Sequence, residues 1–166
     1  MPSVQGARDV DPFVPGVAQT LATLASFAVL ALLWSATPAL ALEFRSVAVP
    51  AAILYDAPSL KARKLFILNQ GYPVEVFVTL DAWVKVRDAS GELAWIEAKS
   101  LSGQRVVMVK VPRAEVRKAP DESAPVAFIA EQDILLDVIE TADNWAHVKH
   151  RDGTTGYIRI TQIWGL

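Results

Sequence analysis

The chain has 166 residues, of which 52% are apolar, and its formal net charge is −2 at pH 7. It contains no cysteine, which excludes disulfides, thiolate catalysis and cysteine-ligated zinc or iron–sulfur sites. Acidic and basic residues are nearly balanced, so the composition offers no basic patch for nucleic acid and no long cationic stretch for anionic lipid.

The first element predicted along the chain is an apolar helix over residues 17–34, followed by Pro38 and by the small residues Ala39 and Ala41. A helix-ending proline with small residues before a cleavage point predicts a signal peptide, residues 1–41, cut after Ala41. The alternative is an uncleaved membrane anchor, because about 20 apolar residues suffice to span a bilayer. Both interpretations predict that the rest of the chain is periplasmic or secreted, and only the anchor predicts contact with a membrane.

An internal repeat follows this segment. Residues 47–96 align with residues 109–158 without a gap at a shift of 62, and seventeen of the fifty positions are identical. Self-similarity at a fixed spacing is the signature of a duplicated structural unit. The sequence therefore predicts a first domain over residues 42–103 and a second over residues 104–166.

Each copy is a series of short strands separated by turn residues. Strands are predicted over residues 64–68, 73–79, 83–87 and 92–96 of the first copy and over 145–149 and 155–159 of the second. Gly91 and Gly153 supply the positive φ that tight hairpins require. About five short strands in about 60 residues, without an amphipathic helix, predict an all-β fold of two tandem small barrels behind an N-terminal hydrophobic export helix. We expect the two barrels to pack on each other.

The repeat resembles the bacterial SH3-like (SH3b) domain family. The motifs that carry the resemblance in the second copy are Val116-Arg117-Lys118-Ala119-Pro120, Asn144-Trp145, Asp152-Gly153 and Gly156-Tyr157-Ile158. The first copy is similar, but it has Tyr55 where the usual arginine stands and Ala94 where the usual glycine stands. The resemblance implies an SH3-like barrel and an exported binding module, of a kind that often attaches catalytic partners to the cell wall or its peptides.

All of the candidate ligand-binding residues except Tyr55 lie on one face of one strand in each copy, and Tyr55 is a candidate extension of the groove in the first copy. Period-two alternation places Val84 and Val86 on the core side of residues 83–87 and the tryptophan and cations on the other side. An exposed tryptophan beside cations suits a groove for a peptide or sugar that carries carboxylates, and the resemblance implies that this tryptophan lines the ligand groove. The alternative is that the tryptophans are buried as packing. The candidates are Trp83, Trp145, Tyr55, Lys85, Arg87 and Lys149.

Other aromatic residues are assigned structural roles. We expect Trp95 and Tyr157 to close the barrels or the interface between them, Phe66 and Phe128 to lie in the cores, and Trp164 to pack the C-terminal residues down. His147 and His150 are interpreted as surface residues, because no third ligand type lies near them for a metal ion. The sequence shows no carboxylate pair, nucleophile elbow or phosphate loop, so we expect no enzyme activity, no metal and no cofactor.

The leading hypothesis is a non-enzymatic binding module of the cell envelope that recognises peptidoglycan or its stem peptides. The alternative is a protein–protein interaction or scaffold module in the periplasm, which would recognise its partner by a strand edge or a groove. A small hydrolase is the least favoured hypothesis, because no nucleophile, metal cluster or paired carboxylates support it.

Overall fold

The structure is a computed structural model that describes residues 42–166. The predicted export helix and the cleavage site after Ala41 lie outside the described residues. The helical turns among residues 42–166 do not have the length and hydrophobicity of a membrane-spanning helix.

The described residues form two seven-stranded antiparallel sheets. The first contains β1 (Glu43–Val47), β2 (Ala51–Tyr55), β3 (Lys64–Asn69), β4 (Pro73–Thr79), β5 (Trp83–Arg87), β6 (Leu93–Glu97) and β7 (Leu101–Ser102). The second contains β8 (Val106–Val109), β9 (Arg113–Arg117), β10 (Val126–Glu131), β11 (Leu135–Ala142), β12 (Trp145–Lys149), β13 (Thr155–Arg159) and β14 (Ile163–Trp164). Short 3₁₀ turns over Ala98–Ser100 and Ile160–Gln162 precede the last strand of each sheet. The all-β prediction is confirmed.

The two sheets have the same strand order, which follows from the duplication. The first runs β3-β2-β6-β5-β4-β1-β7 and the second runs β10-β9-β13-β12-β11-β8-β14. Hairpin turns set these registers, and Gly91 and Gly153 adopt φ values of 93° and 92°, as predicted for tight turns. Each sheet therefore presents its central hairpin, β5–β6 or β12–β13, in the same way.

Each barrel encloses its own apolar core. In the first, Leu54 and Ile96 are fully buried, and in the second Leu136 and Ile158 are fully buried. These cores consist of side chains from one face of each strand, so the alternate residues lie on the outer surface of the barrel. The residues available for binding are those outer-face side chains.

The two barrels pack on each other, as expected. All four residues of β8 are buried, although only Val107 and Val109 belong to the core of the second barrel. Val106 and Met108 lie on the opposite face of β8, which contacts β4 of the first barrel. The rings of Phe44 and Trp164 also meet edge-on across this interface, with centroids 5.1 Å apart.

Candidate functional site

The outer face of β5 brings Trp83 next to Tyr55. Trp83 is half-buried, whereas its neighbour Val84 is fully buried in the core, so the alternation predicted for this strand is observed. The Tyr55 and Trp83 rings meet edge-on with centroids 5.3 Å apart and an interplanar angle of 89°. Tyr55 is only 4% exposed. It therefore supports the Trp83 ring and offers little surface of its own.

The next outward residue of β5, Lys85, lies over a second tryptophan. Lys85 pairs with Trp95 in the β5–β6 register, and its Nζ lies 5.9 Å from the centre of the Trp95 ring. Tyr55 pairs with the same Trp95 across β2 and β6. These four residues, Tyr55, Trp83, Lys85 and Trp95, form one surface that we call the aromatic strip. It combines two partly exposed indole rings with one ammonium group, a combination that suits ligands with apolar faces and a carboxylate.

Arg87 continues the same strand but is engaged in an internal ion pair. Its Nε donates to Glu75 Oε2 at 2.9 Å, and the Glu75 side chain is almost fully buried. The Arg87 guanidinium also lies 5.2 Å from the centre of the Phe77 ring. Because a buried carboxylate needs a partner, Arg87 balances Glu75 in addition to any contact with a ligand.

The corresponding tryptophan of the second barrel, Trp145, lies beneath an arginine. Trp145 is 7% exposed, and the Arg159 guanidinium lies 4.3 Å from the centre of its ring. A cavity of about 330 Å³ opens beside it, which we call the arginine groove. The groove is lined by Arg113, Glu115, Arg117, Glu122, Trp145, Arg159 and Gln162. The two tryptophans therefore lie in different surroundings, apolar and aromatic for Trp83 and guanidinium-rich for Trp145.

The remaining residues of β12 are distributed over two other features. The His147 ring stacks on Tyr157, with centroids 4.5 Å apart and an interplanar angle of 9°. His147 Nδ1 lies 3.5 Å from Glu140 Oε1 but has no hydrogen bond of good geometry. Lys149 is exposed and lines a cavity of about 420 Å³ between the barrels, together with Val47 of β1. The arginine groove is not lined by Lys149.

His150 lies in the turn that follows β12. Its Nδ1 is 3.0 Å from Asp152 Oδ2. The backbone amide of Thr154 donates to Asp152 at 2.8 Å, and this bond, with the nearby His150, holds the pKa of the Asp152 carboxyl below its ordinary value. Across residues 42–166 no three His, Asp or Glu side chains are grouped for a metal ion.

Sequence reasoning did not identify the residues that lie across the hairpins from Lys85 and Trp145. It predicts a structural role for Trp95, which lies opposite Lys85, and it assigns no role to Arg159 or Glu122. The signal that would have revealed Arg159 is the register of β12 and β13, in which Trp145 lies directly opposite Arg159. Side chains opposite each other on one sheet face are close enough to interact. Pairing the two strands of the repeated hairpin residue by residue would therefore have placed Arg159 beside Trp145.

Comparison with known families identifies the class of the two barrels. The family model for the bacterial SH3 domain matches the chain twice, at residues 48–103 and at residues 110–165. The chain therefore belongs to the bacterial SH3 domain family and contains two tandem copies of that domain, as the sequence motifs predicted. Domains of this family are typically binding modules without catalytic activity. The search of curated proteins gave no match.

Three solved structures show the extent of similarity to larger proteins. NlpC2 from Trichomonas vaginalis is 18% identical with a TM-score of 0.35, over 75% of this chain and 48% of that one. NlpC1 from the same organism is 16% identical with a TM-score of 0.36, over 78% and 48%. An NlpC/P60 family protein from Bacillus cereus ATCC 10987 is 16% identical with a TM-score of 0.34, over 73% and 55%. The chain spans about half the length of these structures.

Proposed function

We propose that this protein is a non-enzymatic binding module of the cell envelope that recognises peptidoglycan or its stem peptides. The observation that carries the proposal is the aromatic strip, where Trp83, Trp95 and Lys85 share one outer face of the first barrel. Membership of the bacterial SH3 domain family supports a binding role. Both tandem domains are accounted for by binding, with no catalytic residue required.

The chemistry of the strip matches wall fragments. Indole rings bind the apolar faces of sugars and small side chains, and their burial against a ligand supplies most of the contact energy. Lys85 places a cation at the ring face, where a carboxylate of a stem peptide meets it in a charge-assisted hydrogen bond. In this proposal the ligand contacts Trp83, Lys85 and Trp95, Tyr55 supports them, and Arg87 lies at the end of the strip.

The proposed compartment is the periplasm or the cell exterior. The predicted signal peptide with cleavage after Ala41 supports it, and an uncleaved anchor would hold the same domains at the outer side of the membrane. Either arrangement places the barrels where peptidoglycan is found. No cofactor and no nucleic acid takes part in the proposed binding.

A periplasmic protein partner is the second candidate, and exposed apolar residues of the first barrel favour it. Leu60 and Ile67 are 64% and 61% exposed, and Leu65, two residues before Ile67 on β3, is 38% exposed. Exposed apolar patches often mark protein interaction sites. Recovery of one stoichiometric protein partner, without association with the wall, would favour this candidate over wall binding.

The aromatic strip is tested by titrating the full-length protein with soluble wall fragments that retain their stem peptides. We expect Trp83→Leu combined with Lys85→Gln to weaken binding at least about tenfold, since one ring contact and one charge-assisted bond are lost together. Ile139→Ala is the matched control, because Ile139 is an exposed apolar residue on the second barrel. If the double variant and the control bind the wall fragments with equal affinity, the aromatic strip is not the binding site.

A further inference from the structure

The arginine groove of the second barrel already contains a carboxylate. Glu122 lies in the loop between β9 and β10, and its Oε1 accepts a hydrogen bond from Arg159 Nε at 2.7 Å. Its other oxygen lies 3.8 Å from Arg117 Nε. We infer that the arginine groove is a binding site for the carboxylate of a peptide, and that Glu122 occupies this site until a ligand displaces it.

The two arginines are held in place independently of Glu122. Arg159 stacks over the Trp145 ring. Arg117 donates to the Ala124 carbonyl oxygen at 2.8 Å and to Glu115 at 2.8 Å. Guanidinium groups fixed by packing and backbone contacts lose little conformational freedom when they bind an anion. The groove is therefore preorganised for a carboxylate.

Glu122, in contrast, is free to leave. Its side chain is 63% exposed, compared with 19% for Arg117 and 33% for Arg159. An ion pair in which one partner is largely exposed contributes little to stability. Withdrawal of Glu122 into water therefore weakens the fold only slightly. It leaves the partly buried Arg159 guanidinium without a carboxylate, whereas Arg117 keeps Glu115.

A third cation strengthens the site for an external anion. Arg113 lines the same groove, and no ion pair of Arg113 is present among residues 42–166. When a ligand carboxylate replaces Glu122, its negative charge lies near three guanidinium groups. The only other carboxylate that lines the groove is then that of Glu115. Arginine forks recognise planar carboxylates in a bidentate way, which favours a carboxylate over a neutral amide.

The first barrel lacks this site, although it has the same fold. At the shift of 62 residues, the positions of Arg117, Arg159 and Glu122 are taken by Tyr55, Glu97 and Leu60. These substitutions replace cations with an aromatic ring and a carboxylate, and replace the occupying carboxylate with an apolar side chain. The two copies have therefore diverged into an aromatic surface and a carboxylate site.

The inference rests on the proposed function only for the origin of the ligand, a peptide of the wall. It is tested by titrating the full-length protein with acetyl-alanyl-alanine carrying a free carboxylate, and with the same dipeptide as its amide. Nitrogen-15 spectra of the Trp145 indole group report binding in this groove. We expect the free acid to shift the Trp145 signal and the amide to leave it unchanged.

Two variants separate displacement of Glu122 from ordinary surface binding. Glu122→Gln removes the competing charge, so we expect it to bind the free acid about three- to tenfold more tightly than the unaltered protein. Arg159→Gln removes the main cation, and we expect it to weaken binding at least about tenfold. The matched control is Glu92→Gln, an exposed carboxylate in the first barrel, whose affinity stays unchanged.

Unchanged affinity of Glu122→Gln would show that Glu122 does not occupy the site, and equal binding of acid and amide would show that no carboxylate is recognised there. Either result overturns the inference. Sedimentation with peptidoglycan distinguishes this failure from failure of the proposed function. A protein that pellets with the wall but ignores the dipeptide acid keeps the proposed function, whereas one that binds the acid at Trp145 but never pellets keeps only the carboxylate site.

Discussion

Glu75 is the most deeply buried carboxylate of the described residues, at 3% exposure, and Arg87 of the neighbouring strand neutralises it. Period-two alternation predicted that Arg87 lies on the outer face of β5, and this is where it lies. The sequence did not reveal that Glu75, at the start of a run of valines in β4, is its partner. That pairing depends on the register of β4 and β5, in which Glu75 lies opposite Arg87.

The ion pair predicts a specific cost at this residue. Arg87→Met should destabilise the protein by about 2–3 kcal/mol in urea unfolding, because it leaves a buried carboxylate without a partner. Adding Glu75→Gln to Arg87→Met should recover part of the loss, since the uncompensated charge is then removed. If Arg87→Met unfolds at the same urea concentration as the unaltered protein, Glu75 is not dependent on Arg87.

Asp152 predicts a pH dependence in the turn between β12 and β13. The hydrogen bond from the Thr154 amide, with a further contribution from His150, lowers the pKa of this carboxyl below 3.8. Because the pKa is lower in the folded state, ionised Asp152 stabilises the turn when the pH is above the pKa of this carboxyl in the unfolded chain. This stabilisation is lost as the pH falls through the pKa in the folded state. Carbon-13 titration of the Asp152 carboxyl should therefore give a midpoint below 3.8. A midpoint at or above that value would show that the Thr154 amide and His150 do not lower the pKa of Asp152. In the Asp152→Asn control, the change of the Thr154 amide signal with pH should disappear.

At the level of elements, β13 approaches β9 more closely than a side chain permits. A Cβ added at Gly156 would lie 2.7 Å from Val116 Cγ1 and 2.8 Å from the Arg117 carbonyl oxygen. The equivalent residue of the first barrel is Ala94, which is buried in β6. The glycine of the family motif is therefore a packing requirement in the second barrel and not in the first.

Gly156→Ala should destabilise the second barrel by about 1–3 kcal/mol, because the added methyl group meets backbone and a buried valine. Thermal unfolding monitored by near-ultraviolet circular dichroism measures the effect. The reciprocal change Ala94→Gly is the control and should cost about 1 kcal/mol, through lost packing and greater freedom of the unfolded chain. If the Gly156→Ala protein is as stable as the unaltered one, β9 and β13 can move apart to accommodate the methyl group without cost.

Alternation and turn residues predicted some elements well. The strands expected over residues 73–79, 83–87, 145–149 and 155–159 coincide with β4, β5, β12 and β13. β8 gave no such signal, because it is buried on both faces and its four apolar residues do not alternate. β7 and β14 contain two residues each, too few for any periodicity. Three residues of the aromatic strip were predicted as candidates, namely Trp83 and Lys85 of β5 and Tyr55 of β2. Trp95 of β6 was not, because the pairing of β5 with β6 was unknown.

For the molecule as a whole, the sequence predicted that the two barrels pack but not which faces meet. The interface depends on residues that differ between the copies, and the repeat is therefore uninformative there. Trp164 of the second barrel corresponds to Ser102 of the first, and it meets Phe44 edge-on. Gly165 lies within reach of Pro73, where an added Cβ would be 3.0 Å from the proline Cβ.

Trp164→Ala should weaken the coupling between the barrels. We expect a loss of about 1–3 kcal/mol, from the edge-on ring pair and the apolar area returned to water. We also expect the single unfolding transition in urea to broaden or divide in two, because each barrel retains its own core. Leu93→Ala, an exposed position of the first barrel, should leave the transition unchanged. A sharp transition at the original midpoint in the Trp164 variant would contradict this role.

Binding of the cell wall through the aromatic strip is tested by co-sedimentation of the protein with purified peptidoglycan sacculi. Full-length protein, the Trp83→Leu, Lys85→Gln double variant and the Ile139→Ala control are compared at low and moderate salt. We expect the unaltered protein and the control to pellet with the sacculi at both salt concentrations, because contact with the indole rings is not screened by ions. We expect the double variant to stay in the supernatant. Unaltered protein that remains in the supernatant at both salt concentrations would contradict wall binding and would direct attention to a protein partner.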